Sequence, residues 1–540
     1  MKRIGLILIV IAGVLLRLIA VNKPEGLWND EYVSYMIAAK PLFDGFVEGI
    51  KSQCHMPFYY LYLKTFMFMF GDSDLVLRLS SVFAGFLSII VMYFIGLEKD
   101  KRTGMLCAGF TAISSFLIYY SQEVRLYSVL FLFSALMLLF TLRLIKQADK
   151  KNFILLIISS FLVLLTHTIG FVFVFFNMVY LSFRLYKEHK NTILKLWGVI
   201  AVLILLLIPQ ILGILFRKTF SQWWGVFSQS ALGFLITDYF SPVLTNLTGA
   251  PPNFFYNFKS GFIIFAMIPS VISMIFLGYS FKEKENRELL YIVLATVAVL
   301  VIAALSGKLV FVTKYSIEVY PILIYLACSG VSAMQNKALK NTLVSIFCLL
   351  SVFFLLVSPL SANRMFRKEG HKLAADLIKN AELKKGDIVI LQYYDQSRFE
   401  KYFDFSDLKV ITMNKGNFSE FINPETSYAK VYNDKNALRQ TFLSPENKYF
   451  ENKLLNTLNL HPGQSVLVLS LDSVSFFNDE VIRKISANES YYTQTPIFFM
   501  VFSYLKNQTY DTLVKECKTG LKAKKGEWSA AKFTKLNNQS

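Results

Sequence analysis

Residues 77–97 read LRLSSVFAGFLSIIVMYFIGL, with one cation, Arg78, at the start and no further charge up to Leu97. A run of about 20 apolar residues is what a helix needs to cross roughly 30 Å of hydrocarbon, so this stretch reads as a membrane span. Comparable runs recur from residue 4 to about residue 359. The composition agrees: 540 residues, 54% hydrophobic and 16% aromatic, with a mean hydropathy of +0.46, exceed what a soluble core requires.

The formal net charge of +19 is no sign of nucleic acid, because the cations gather in the gaps between apolar runs. Clusters stand at Lys2/Arg3, Lys99/Lys101/Arg102, Arg143/Lys146/Lys150/Lys151, Arg184/Lys187/Lys190, Lys282/Lys284/Arg287 and Lys337/Lys340. The positive-inside rule puts them all in the cytoplasm, so neighbouring clusters enclose two crossings each. Residues 103–142 then form a hairpin with YYSQEVRLY (119–127) as its outer turn, and 152–183 form another with THTIG (166–170) at the tip.

Spans fall near 4–21, 77–97, 103–119, 124–142, 152–166, 169–183, 195–215, 259–281, 289–305, 318–333 and 341–359. The expected fold is therefore a polytopic α-helical membrane protein of about 11 transmembrane helices, multi-pass in the plasma or inner membrane, with its N-terminus cytoplasmic. The first run lacks a clear small-residue cleavage site and is interrupted by Arg17, so it reads as an uncleaved span. Residues 1–360 make the membrane domain, with a first outer loop at 22–76 and a second at 216–258. Residues 361–540 make a soluble extracytoplasmic α/β domain, with strands expected in DIVILQYYD (387–395), LKVITM (408–413), SVLVLSL (465–471) and IFFMVFSYL (497–505). Helices are expected in residues 369–383 and 479–488. Five cysteines without a C-x-x-C pair indicate neither a disulfide framework nor a metal knot.

With this topology the unusual polar residues share the outer side: Asp30/Glu31, His55, Arg78, Glu123/Arg125, His167 and Lys314/Tyr315. Ionisable groups at membrane depth are costly and mark functional paths or sites. Each also has a plainer reading. Asp30 suits a helix N-cap, Arg125 can pair with Glu123 to close the hairpin, Lys314 can bridge Glu318 at i,i+4, Arg78 can snorkel to the interface, and His167 can be a polar turn residue.

The series DEYVSY (30–35), HMPFYYLYLKTFMFMFGDSDLVLRLSSVFAGFLSIIVMYFIG (55–96), YYSQEVRLYSVLFLFSAL (119–136) and LLTHTIGFVF (164–173) resembles the membrane-embedded glycosyltransferases of the C-type fold. Within them it is most similar to the bacterial relatives of protein O-mannosyltransferases and of the lipid A aminoarabinose transferase. The resemblance covers roughly residues 1–360. It implies transfer of a sugar from a polyprenyl-phosphate carrier to an acceptor on the outer face, with an essential acid in the first outer loop, where Asp30 stands. Some relatives carry Lys where this chain has His55, which can still donate a hydrogen bond. VTKYSIEVYP (312–321) resembles the cation-tyrosine signature that contacts the lipid phosphate, giving Lys314 and Tyr315 that role, and the relatives' Thr-His makes His167 a site-wall residue.

The chemistry asks for the same set. Displacing a polyprenyl phosphate from an anomeric carbon needs a base for the attacking hydroxyl and stabilisation of the departing phosphate. Asp30 is the expected base with Glu31 its support. Arg125 offers a bidentate fork, oriented by Glu123, Lys314 offers a point charge, and Tyr315 a hydroxyl. An in-line displacement would invert the anomeric carbon. Two adjacent acids are too few for a hard-cation site of about six oxygens, so no divalent metal is expected to be required. Trp223 and Trp224 in the second loop suit interfacial anchors, and family analogy makes that loop a flap over the donor. The acceptor can be lipid, protein or glycan. A rival reading, a transporter or flippase of lipid-linked sugars, predicts internal repeats and helices broken at the midplane; no repeat is evident, and the charges gather at one face.

Overall fold

A computed structural model describes residues 2–19, 21–22, 26–53, 56–208, 212, 239–240, 260–305, 313–357, 371–392, 396–413, 461, 464–470, 510–513 and 529–535. The chain divides into two compact units. The first comprises Met1–Asn22 and Val33–Arg364, the second Lys23–Tyr32 and Met365–Ser540. Part of the expected first outer loop thus belongs with the C-terminal domain, whose boundary lies four residues beyond the expected one.

The first unit is helical: α1 (Lys2–Leu18), α2 (Asn29–Ala39, its first turn in the second unit), α3 (Leu42–Gln53), α4 (Phe58–Phe70), α5 (Asp74–Leu97), α6 (Lys101–Ile113), α7 (Ser115–Ser121), α8 (Tyr127–Lys146), α9 (Lys150–Thr166), α10 (Gly170–Leu206), α11 (Ser260–Ser280), α12 (Lys284–Leu305), α13 (Tyr320–Ala333) and α14 (Lys337–Val357). A 3-10 helix, Thr313–Val319, leads into α13. Short polar caps set the starts. Ser73 accepts from the Val76 amide, Asp100 from Arg102 and Thr103, and Asp149 from Asn152.

Helix occupies at least part of each of the eleven expected runs. Among the described residues five helices are long and apolar enough to cross a membrane, or six if the α6–α7 pair, bent by 57°, is one span. The two runs expected at 169–183 and 195–215 meet in α10, which breaks at His189 (φ −132°, ψ 42°). Large apolar side chains such as Phe68 and Phe183 are fully turned outward, as lipid-facing helices require and as water would penalise. Where helices touch, small residues let backbones approach: Gly96 lies against the backbone of Gly104, and Gly330 against the Phe276 carbonyl.

The basic clusters find acids at one end of this bundle. Arg143 Nε donates to Glu98 at 2.9 Å, Arg184 Nη1 to Glu288 at 2.9 Å, and Lys99 Nζ to Ser329 at 2.6 Å beside Glu283. The starts of α5 and α8, about 30 Å away along helices of 1.5 Å rise per residue, form the other end.

In the second unit a five-stranded sheet has the order β2-β1-β3-β5-β4, with β1 Ile388–Gln392, β2 Lys409–Met413, β3 Ser465–Ser470, β4 Tyr510–Leu513 and β5 Ser529–Lys535. β1 is parallel to β2 and β3, whereas β5 runs antiparallel to β3 and β4. Helix α15 (His371–Asn380) sets Ala374 and Ile378 against Val389, Leu391, Leu467 and Leu469. The first three strands and this helix coincide with the sequence's reading. The strand expected at 497–505 and the helix at 479–488 lie outside the described residues. β4 and β5 were not expected: SAAKFTK has little β-branched content and a basic neighbourhood, yet pairs along its length with β3.

Candidate functional site

In the first unit the site is built on the turn between α7 and α8. This is the segment expected as the outer turn of a hairpin, and Gln122, Glu123, Val124, Arg125 and Leu126 are all buried. The turn is tied down by hydrogen bonds that leave no room for a solvated loop. Gln122 Nε2 donates to the carbonyls of Arg17 (3.0 Å) and Ile19 (2.6 Å), capping the end of α1. Ser81 Oγ donates to the Glu123 carbonyl at 2.6 Å, and Ser128 Oγ to the Ser81 carbonyl at 2.9 Å. The Arg125 amide closes back on the Glu123 carbonyl at 2.8 Å, and its guanidinium Nη1 donates to Ser34 Oγ at 3.4 Å.

His167 ends α9, where its ring Nδ1 accepts from the Ile169 amide at 3.2 Å. Its ring lies 6.0 Å from that of Tyr315, nearly parallel, and 6.5 Å from that of Tyr127. Lys314 Nζ sits 5.6 Å from the centroids of both Tyr127 and Tyr315, in cation-π range. Burial first, then the positive charges of Arg125 and Lys314, push the His167 pKa down to about 3, so the ring is neutral at physiological pH. Arg125, His167, Lys314 and Tyr315, from three separated stretches, therefore form one cationic cluster in which Arg125 and His167 are buried and Lys314 and Tyr315 half-buried.

Other expectations meet a different outcome. Arg78 does not snorkel; it is fully buried, and its Nη1 donates to the Val21 carbonyl at 3.4 Å. Lys314 does not bridge Glu318. The buried Glu318 carboxylate accepts no hydrogen bond among the described residues, because a 3-10 turn broken at Ser316 (φ −123°, ψ 22°) does not stack i on i+4. His55 lies outside the described residues, as does the second loop apart from Tyr239 and Phe240. Tyr239 was missed by sequence reasoning. Its hydroxyl donates to the Ser316 carbonyl at 2.6 Å, and its ring stacks on Tyr320 at 4.6 Å, bracing the 3-10 helix that carries Lys314 and Tyr315. Tyr127 and Ser34 were also missed; no motif marks a serine or tyrosine that meets a cation only through folding.

Asp30 and Glu31 lie in the first turn of α2, in the second unit. The Trp28 carbonyl accepts the first helical hydrogen bond, from Tyr32, at 2.8 Å, so Trp28 and not Asp30 is the N-cap. Glu31 reaches back to accept from the Trp28 amide at 3.3 Å, one half of a capping box. Glu31 is fully buried, while Asp30 is half-buried. Both carboxylates favour the positive end of the helix dipole. Among the described residues no three His, Cys, Asp or Glu side chains converge as metal ligands would.

A family model described as dolichyl-phosphate-mannose-protein mannosyltransferase matches residues 54–212, from the end of α3 through α10. The structure of ArnT from Cupriavidus metallidurans in the apo state is similar over 97% of this chain and 97% of that one, at 11% identity and a TM-score of 0.53. This is the C-type glycosyltransferase fold. ArnT from the same organism bound to undecaprenyl phosphate is similar over the same shares, at 12% identity and a TM-score of 0.51. No curated protein matches the chain in sequence. The likeness to ArnT covers 97% of this chain and so reaches beyond residues 54–212.

Proposed function

We propose that this protein is an integral membrane glycosyltransferase that takes a sugar from a polyprenyl-phosphate donor and passes it to a lipid, protein or glycan acceptor on the extracytoplasmic face. The observation that carries the reading is the cluster of Arg125 and Lys314 beside the buried His167 and the half-buried Tyr315. Two cations in a low-dielectric setting suit a lipid-linked phosphate, and the undecaprenyl phosphate in the related ArnT structure is a ligand of that class. Neutral His167 and the Tyr315 hydroxyl add hydrogen-bonding capacity without adding charge.

In the proposed step Asp30 takes the proton from an acceptor hydroxyl, whose oxygen forms a bond to the anomeric carbon. The bond from that carbon to the phosphate oxygen breaks, and its electron pair leaves with the polyprenyl phosphate. Arg125 and Lys314 stabilise the charge that grows on the leaving oxygen. A single displacement inverts the anomeric configuration. Glu31 supports Asp30 by fixing the start of α2. The reaction proceeds without a divalent cation.

The test supplies purified protein with labelled polyprenyl-phosphate sugars and a membrane extract. Transfer by the wild type, lost in Asp30→Asn, with an inverted product and undiminished activity in chelator, is the expected result. Equal transfer by both proteins would remove Asp30 as the base, and a retained configuration would remove the single displacement.

A further inference from the structure

The segment that carries Asp30 is held by residues that follow it by more than three hundred positions in the chain, within the same compact unit. Tyr32 is the centre of the grip. Its hydroxyl donates to the Ser397 carbonyl at 2.7 Å and accepts from the Lys401 amide at 3.4 Å, while its ring and that of His371 stand perpendicular with their centroids 5.0 Å apart. Leu27 is held through its backbone: its amide donates to the Tyr402 hydroxyl at 2.9 Å, and its carbonyl accepts from the His371 amide at 3.4 Å. Gly26 precedes it at φ +77°, where a Cβ would strike Lys372 and Tyr402. Leu27 and Tyr32 are buried, one residue before and one residue after the first turn's Trp28–Glu31.

This pattern fixes more than a loop. In a helix of 3.6 residues per turn, Asp30 and Tyr32 stand about 200° apart, so gripping Tyr32 turns Asp30 to the opposite face. The Glu31 bond to the Trp28 amide then sets the axial position of the same turn. A carboxylate that must meet a proton within hydrogen-bond reach tolerates little displacement.

We propose that the C-terminal domain serves as a clamp whose Tyr402, His371 and Ser397 set the register and rotation of the Asp30 turn, which makes Tyr402 and Tyr32 positioning residues for the transfer reaction. The assignment of Asp30 as base rests on the proposed function. The grip itself does not.

The experiment uses full-length protein in detergent or nanodiscs and the variants Tyr402→Phe and Tyr32→Phe, each removing one hydroxyl and little volume. Hydrogen exchange is read on the peptide spanning residues 26–33, with peptides of α5 and α8 as controls. Loss of one such bond is expected to speed exchange there about two- to tenfold with the controls unchanged. In the transfer assay kcat falls while the donor KM holds, because the base moves and the phosphate site does not. Unchanged exchange at 26–33 in both variants overturns the clamp whatever the activity does. Faster exchange with unaltered kcat in an active enzyme overturns the positioning role. If the wild type transfers no sugar, the proposed function fails, and the exchange measurement still decides whether the clamp exists.

Discussion

Arg17 Nη2 donates to the carbonyl of Thr111 at 3.0 Å, although α1 and α6 are almost a hundred residues apart in the chain. The same guanidinium reaches the carbonyls of Ala112 (3.2 Å) and Gly13 (2.9 Å) and the Ser121 hydroxyl (3.2 Å), and it is fully buried. The last carbonyls of α6 lose their helical partners where the chain bends by 57° into α7, and hydrocarbon offers no water in exchange. Arg17 supplies the missing donors. Arg17→Met is expected to lower stability by on the order of 3 kcal/mol, from charged hydrogen bonds lost and carbonyls stranded. Thermal unfolding in detergent checks this, and an unchanged midpoint would refute it.

Gly330 in α13 packs so close to the Phe276 carbonyl of α11 that no Cβ can enter without moving a backbone. Gly330→Ala is expected to destabilise the bundle by about 1–3 kcal/mol through overpacking. Gly278→Ala in α11 is the matched control, since a Cβ there meets nothing within 4 Å, and it should be neutral or slightly stabilising. Equal behaviour of the two in a melting experiment would contradict the packing.

His167 gives the pH dependence. Its folded pKa is depressed from 6.5 to about 3, by burial and then by Arg125 and Lys314. A depressed pKa means the folded state disfavours the proton, so the contribution to stability is complete above 6.5 and is lost as pH falls from there toward 3. His371 in the second unit is likewise pushed down to about 3, by burial and then by Arg398. The difference between wild type and His167→Gln therefore isolates the residue. Melting temperatures across pH 7 to 4 should fall more steeply in the wild type, and parallel curves would disprove the assignment.

Arg125 and Lys314 are expected to act on the donor through charge. Arg125→Lys keeps the charge but loses the planar fork, and Lys314→Gln keeps most of the length but loses the charge. Each should lower kcat/KM for the lipid-linked donor about tenfold to hundredfold, the value of one or two charged hydrogen bonds. Steady-state transfer kinetics over a range of donor concentrations measure this. A variant with wild-type kcat/KM removes its residue from the phosphate site.

Helices α5, α8 and α12 were legible because a span announces itself within its own 20 residues, and β1, β2 and β3 because apolar β-branched runs do the same. The sequence by itself also picked out Asp30, Arg125, His167, Lys314 and Tyr315 as costly polar residues in apolar surroundings. Only the tertiary structure decided what they do to one another. Folding buried the turn that carries Arg125, denied Lys314 its helical partner Glu318, brought His167 within the field of two cations, gave Arg17 the carbonyls of a distant bend, and joined the Asp30 segment to residues beyond 370. Hydropathy and periodicity are properties of neighbours along a chain. Hydrogen bonds and ion pairs are set by distances in space, which no local pattern records.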